Sequence, residues 1–137
     1  MELTKSYLKN LIYQVIGAAI EVHKALGPGL LESVYHRCLM HELTLRGIYF
    51  ESEVDVPINY KGLKLGADLR LDLLVEKVLP VELKSTNGFH PIHEAIIISY
   101  MGLLKKPEGL LINFNVVNLY KEGQKTFVNE LYRDLPD

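Results

Sequence analysis

The chain has 137 residues, 48% of them hydrophobic, and sets 15 lysines and arginines against 17 aspartates and glutamates, for a formal net charge of -2. That is enough apolar material for the core of one domain over residues 1–137, and too little positive charge for a large sequence-independent nucleic-acid footprint. The single cysteine, Cys38, excludes an intrachain disulfide framework and four-cysteine zinc or iron–sulfur sites, which fits a reducing cytoplasm.

The opening Met1-Glu2-Leu3-Thr4-Lys5 has no basic segment leading into an apolar one, so no secretory signal is read there. Leu8, Leu11, Ile12, Val15, Ile16, Ala19 and Val22 recur at three and four positions, the stripe of an amphipathic helix over residues 6–26 that Gly27-Pro28-Gly29 stops. Leu31, Val34, Tyr35, Cys38, Leu39 and Leu43 predict a second helix, ending at Gly47. The period then changes to two: residues 50–58 read as a strand, and Asn59-Tyr60-Lys61-Gly62 as a turn. Residues 63–75 and 78–83 read as the next strands, joined tightly at Glu76-Lys77, with Pro80 removing a ladder donor from the second. Pro91 can start a helix that residues 92–105 continue, and Pro107 and Gly109 break it. Its most apolar part, residues 95–104, carries Ser99 and Tyr100 and is too short to span a bilayer, so no membrane association is expected. A buried strand over residues 109–114 and a hairpin-like tail through Tyr120 and Phe127 complete the chain. The order α-α-β-β-β-α-β-(β), with no linkers or repeats, predicts one α/β sandwich around a mixed sheet.

Within Val81-Glu82-Leu83-Lys84 the period of two sends Glu82 and Lys84 to one face and Val81 and Leu83 into the core. A turn centred near Lys77 brings Asp72 almost opposite Glu82, and two carboxylates so close need a cation. Mg2+ or Mn2+ suits them, because such ions take hard oxygen ligands and keep waters that a phosphate can replace. The lysine completes a site for phosphodiester hydrolysis by orienting the attacking water. A cross-strand acid and base that merely solubilise an edge strand is the competing reading. Lys61, Lys64, Lys77, Lys105 and Lys106 are further lysines that a cleft can gather.

The segment Glu21-Val22-His23-Lys24-Ala25-Leu26-Gly27-Pro28-Gly29-Leu30-Leu31-Glu32-Ser33-Val34-Tyr35 closely resembles the signature of the GxxExxY family of the PD-(D/E)xK nuclease-like superfamily, with Gly29, Glu32 and Tyr35 at the defining positions. The resemblance continues through Tyr60-Lys61-Gly62, Arg70-Leu71-Asp72, Val81-Glu82-Leu83-Lys84, His93-Glu94-Ala95 and Gly109-Leu110-Leu111-Ile112-Asn113-Phe114, covering roughly residues 8–115. It implies a restriction-endonuclease-like α/β sandwich, a mixed four-stranded core sheet flanked by helices. Asp72, Glu82 and Lys84 match the acid, acid and lysine of the active-site motif, and Glu32 matches a helical acid that joins the metal shell. Ile96 stands where members of that family usually carry glutamine, so a polar contact to the scissile strand or the water is missing.

Physical chemistry gives Glu32 a second reason to be there, since an acid is favoured in the first turn of a helix. Tyr35, three residues on, shares its face and can carry a hydroxyl over the site. His23 can contact phosphate or cap the end of the first helix. His93 and Tyr100 share a face of the third helix, and with Arg70 they complete the candidate substrate contacts. The expected activity is a divalent-metal-dependent nuclease. An inactive nuclease-fold module that binds nucleic acid or protein, and a metal-dependent nucleotide phosphatase, fit the same residues. Nucleic acid is the expected partner, and a second copy of the chain is another, because a dimer doubles the surface available to grip a duplex.

Overall fold

The computed structural model describes residues 2–66 and 68–137. Helix α1 (Lys5–Leu26) starts where Thr4 Oγ1 accepts the Tyr7 N–H at 3.0 Å, and ends where Gly27, at φ 72°, donates its N–H to the His23 carbonyl at 2.8 Å. Helix α2 (Glu32–Leu45) buries Tyr35, Leu39 and Leu43. The expected strand over residues 50–58 is divided: β1 (Phe50–Asp55) stops before Pro57, which has no N–H to give, and β2 (Ile58–Tyr60) lies beyond it. The expected strand over residues 63–75 is likewise two, β3 (Leu63–Leu65) and β4 (Arg70–Val75), and Ala67 between them lies outside the described residues.

The turn at Glu76 and Lys77 is as expected: both residues have positive φ, 51° and 61°, and Val78 donates its N–H to the Val75 carbonyl at 3.0 Å. Strand β5 (Leu79–Lys84) follows, then α3 (Pro91–Leu104), β6 (Glu108–Asn113), α4 (Leu119–Glu122), β7 (Gln124–Val128) and α5 (Glu130–Arg133). Pro80 does little harm in β5 because the ladder with β6 begins one residue later, at Val81 and Leu110.

The sheet has order β1-β4-β5-β6-β7, with β5 and β6 parallel and the other neighbours antiparallel. It therefore has five strands where four were expected for the core. The tail returns antiparallel to β6 as β7 because Phe127 finds a place against the apolar residues under α3. The alternation along the strands divides the core in two. Leu73, Val75, Val81, Leu83, Leu110 and Ile112 face α1 and α2, while Leu74 faces Ile97, Tyr100 and Met101 of α3. Among the described residues, no helix is long and apolar enough to cross a membrane.

Candidate functional site

Residues 72 and 82 are the next pair in the β4–β5 register after Leu73 and Val81. There side chains replace the backbone ladder. Leu83 donates its N–H to Asp72 Oδ2 at 2.8 Å, and Asp72 donates its own N–H to Glu82 Oε1 at 3.1 Å. Each carboxylate thus occupies the space between the strands and is anchored by the opposite backbone. Glu82 is only 6% exposed. Burial, and then the negative charge of Asp72, push its carboxyl up to about 8 against the opposing pull of Lys84. Without a cation the pair therefore keeps a proton at neutral pH, and the donor set of two adjacent hard carboxylates suits a divalent ion that would take that proton's place.

Lys84 ends β5 half-buried beside this pair, on the face of Glu82. Glu32 is half-buried in the first turn of α2; burial raises its carboxyl, Lys84 and His36 lower it, and Asp72 raises it further, so its charge and the cluster's are mutually felt. Yet among the described residues no three carboxylate, imidazole or thiolate side chains converge closely enough to hold one metal. Glu32 thus stands near enough to Asp72 and Lys84 to feel their charges without joining Asp72 and Glu82 in one close cluster among the described residues. α2 packs on the Val81 and Leu83 face through Tyr35 and Leu39, so Glu82, which alternates with them, lies toward α3, where its charge reaches Tyr100.

Of the other expected contacts, α3 brings two. Tyr100 is 9% exposed, and its hydroxyl is raised by burial and by the charges of Glu82 and Asp72. His93 is lowered by burial and by the charges of Lys84 and His90, and its Nδ1 is a buried nitrogen with no partner among the described residues. Ile96, between them in sequence, packs against the apolar cluster of Leu71, Leu74 and Ile97.

Three candidates are engaged elsewhere. Arg70 is exposed and lies against Glu53 and Asp55 at 3.9 and 3.6 Å. His23 Nε2 is hydrogen-bonded to the Val116 carbonyl at 2.8 Å, tying α1 to the segment after β6. Tyr35 is fully buried and stacked on Phe114 at 4.5 Å; its hydroxyl donates to the Gly27 carbonyl at 2.5 Å and accepts the Leu30 N–H at 3.1 Å. No hydroxyl hydrogen is left there for a ligand. The signature is a folding device in this respect: Gly29 takes φ 94°, Tyr35 locks the loop, and Glu32 is carried to the strand end. Tyr35→Phe is expected to lower stability by about 1–3 kcal/mol, because it orphans the Gly27 carbonyl and Leu30 N–H, as denaturant unfolding would measure.

Two supports were not anticipated. Asn113, fully buried and in register with Lys84, accepts the N–H groups of Thr86 and Asn115 and donates to the Thr86 carbonyl, fixing the chain that leaves β5. Ser85 Oγ donates to the Leu30 carbonyl at 2.6 Å, fastening the signature loop to the site strand. The sequence signal for Asn113 is a polar residue ending an apolar run; Ser85 offers none.

A family model of the PD-(D/E)XK nuclease superfamily matches residues 9–127. No curated protein and no solved structure matches the chain significantly.

Proposed function

The chain belongs to the PD-(D/E)XK nuclease superfamily, and we propose that it hydrolyses phosphodiester bonds of nucleic acid with Mg2+ or Mn2+ held by Asp72 and Glu82. The observation that carries this reading is the pair of carboxylates inserted between β4 and β5 with Lys84 beside them. A bound divalent ion would supply charge neutralisation at the phosphate and activation of a water. The protein's own groups do the rest. Backbone N–H groups of Leu83 and Asp72 keep both carboxylates in place, so little reorganisation accompanies ion binding. Lys84 Nζ orients the attacking water, and Glu32 supports Lys84 electrostatically from the far side. His93 and Tyr100 offer a nitrogen and a hydroxyl to the phosphate or its sugar from α3. The finer assignment to the GxxExxY family rests on Gly29, Glu32 and Tyr35.

The test is calorimetric titration with Mg2+ and Mn2+, with assays on labelled single- and double-stranded DNA and RNA and on mononucleotides. Cleavage of polymer with metal bound supports the reading, and release of phosphate from mononucleotides alone replaces it with a phosphatase. Lys84→Met is expected to keep metal affinity within about threefold and to slow cleavage by about 10^2-fold or more, the contribution of a positioned proton-transfer group. Apolar Ile96 beside the site favours a second reading, an inactive module, for which binding without cleavage of any polymer is the mark.

A further inference from the structure

Strands β1 and β4 form one arm pair that does not end with the sheet. Asp55 pairs with Arg70, Val56 donates its N–H to the Leu69 carbonyl at 2.9 Å, and beyond Pro57 the pairing resumes as the separate β2–β3 ribbon. By the β4–β5 register Arg70 falls opposite Lys84, so the ribbon leaves from the end of the sheet that carries the Asp72–Glu82 pair. The run from Pro57 to the turn at Lys61 spans roughly 15 Å at about 3.3 Å per residue. The root is anchored: Val56 is 1% exposed and packs with Leu69 under α3. Past the root every residue from Asn59 to Gly66 is exposed, and Tyr60 and Leu63 are 61% and 59% exposed. Among the described residues no layer covers its tip, and a two-stranded ribbon is marginal alone.

Its chemistry says what. From residue 57 to residue 66 there is no acid, in a chain whose net charge is -2, and there are two lysines, Lys61 and Lys64. Of the acids at the root, Glu53 and Asp55 lie against Arg70, and Asp68 is exposed on the other side. The tip is preshaped: Lys61 and Gly62 take φ 49° and 94°, and Asn59 Oδ1 accepts the Gly62 N–H at 3.0 Å. Asn59 and Lys64 share one face, while Tyr60 and Leu63 share the other. One face thus offers Lys64 to a phosphate, the other offers the Tyr60 ring with Lys61 Nζ 5.3 Å from its centroid, and a two-stranded ribbon is of a size that enters a groove.

We propose that the β2–β3 ribbon is the arm by which the protein grips nucleic acid next to the cleft, with Lys61 and Lys64 on backbone phosphates and Tyr60 against a base; this rests on the nuclease reading above. The experiment uses the full chain and Lys61→Ala/Lys64→Ala. Binding to a labelled duplex and a labelled single strand is followed by anisotropy over a salt gradient with Ca2+ replacing Mg2+, and metal affinity is followed by calorimetry. The expected result is a slope of log K against log salt that is shallower by about 2 on duplex, or by about 1.4 on a single strand, with metal affinity unchanged and Lys61→Arg/Lys64→Arg restoring the slope. The substrate form that shows the change is the one gripped. An unchanged slope in a wild type that binds nucleic acid overturns the arm and leaves the nuclease reading standing. So does a fall in sedimentation mass without a slope change, which would make the ribbon a contact between copies. Wild type that binds metal but neither duplex nor single strand overturns both.

Discussion

Asp72→Asn is expected to remove Mg2+ binding from calorimetric titrations and to slow phosphodiester cleavage on the order of 10^3-fold, about 4 kcal/mol of transition-state stabilisation. Asparagine is the sharper substitution than alanine here, because its carbonyl oxygen can still accept the Leu83 N–H that Asp72 Oδ2 accepts at 2.8 Å. The local backbone then survives, and only the charge and one ligand are lost. The same substitution relieves Glu82 of its carboxylate neighbour, so the metal-free variant should unfold at higher denaturant than wild type at pH 8. Loss of activity with gain of stability is the signature of a residue kept for chemistry. Retained metal binding and turnover in Asp72→Asn would place the catalytic centre somewhere else.

The second large effect is on the pH dependence of the metal-free protein. Glu82 is raised from 4.5 to about 8 by burial and Asp72, and Glu108, 8% exposed at the start of β6, is raised from 4.5 to about 7 by burial. Below pH 4.5 both carboxyls are protonated in folded and unfolded chains alike, and their contribution is flat. Between 4.5 and about 8 the unfolded chain has released protons that the folded one still holds, so raising the pH favours unfolding. The expected loss from these two groups is on the order of a few kcal/mol. His93, held below its ordinary 6.5, acts in the opposite sense, so the measurement must be a difference between proteins. Denaturant midpoints at pH 5 and pH 8 should fall less steeply in Glu82→Gln and in Glu108→Gln than in wild type. Saturating Mg2+ should restore wild type more at pH 8 than at pH 5, because the ion competes with the proton on Glu82, and it should do so in Glu108→Gln but not in Glu82→Gln. Identical slopes in all three proteins would refute the burial argument for both carboxyls.

The site is more legible in the sequence than the fold that supports it, for reasons visible in single residues. Alternation along Val81-Glu82-Leu83-Lys84 is a property of any strand, and the antiparallel register between residues 72 and 82 follows from a tight turn at Glu76-Lys77. Both are local, and both hold. The roles of Tyr35 and His23 were not readable in this way. Their hydrogen bonds go to Gly27, Leu30 and Val116, and nothing in the spacing of a helix says whether a hydroxyl on its face meets solvent, a ligand or a loop carbonyl. Ser85 and Asn113 escaped notice for the same reason, being partners of Leu30 and Thr86 across the end of the sheet.

The sequence by itself determined the three long helices, the face on which Glu82 and Lys84 lie, the pairing of Asp72 with Glu82 and the kinship with the PD-(D/E)XK nuclease superfamily. These depend on periodicity, turn chemistry and motif, each read within a short window. Only the tertiary structure decided that the ladder opens so that the two carboxylates enter it, that β7 adds a fifth strand, and that residues 58–65 leave the sheet as an exposed ribbon. Each of those outcomes is set by which layer an element packs against. That is a balance of contacts between distant residues, and no local pattern encodes it.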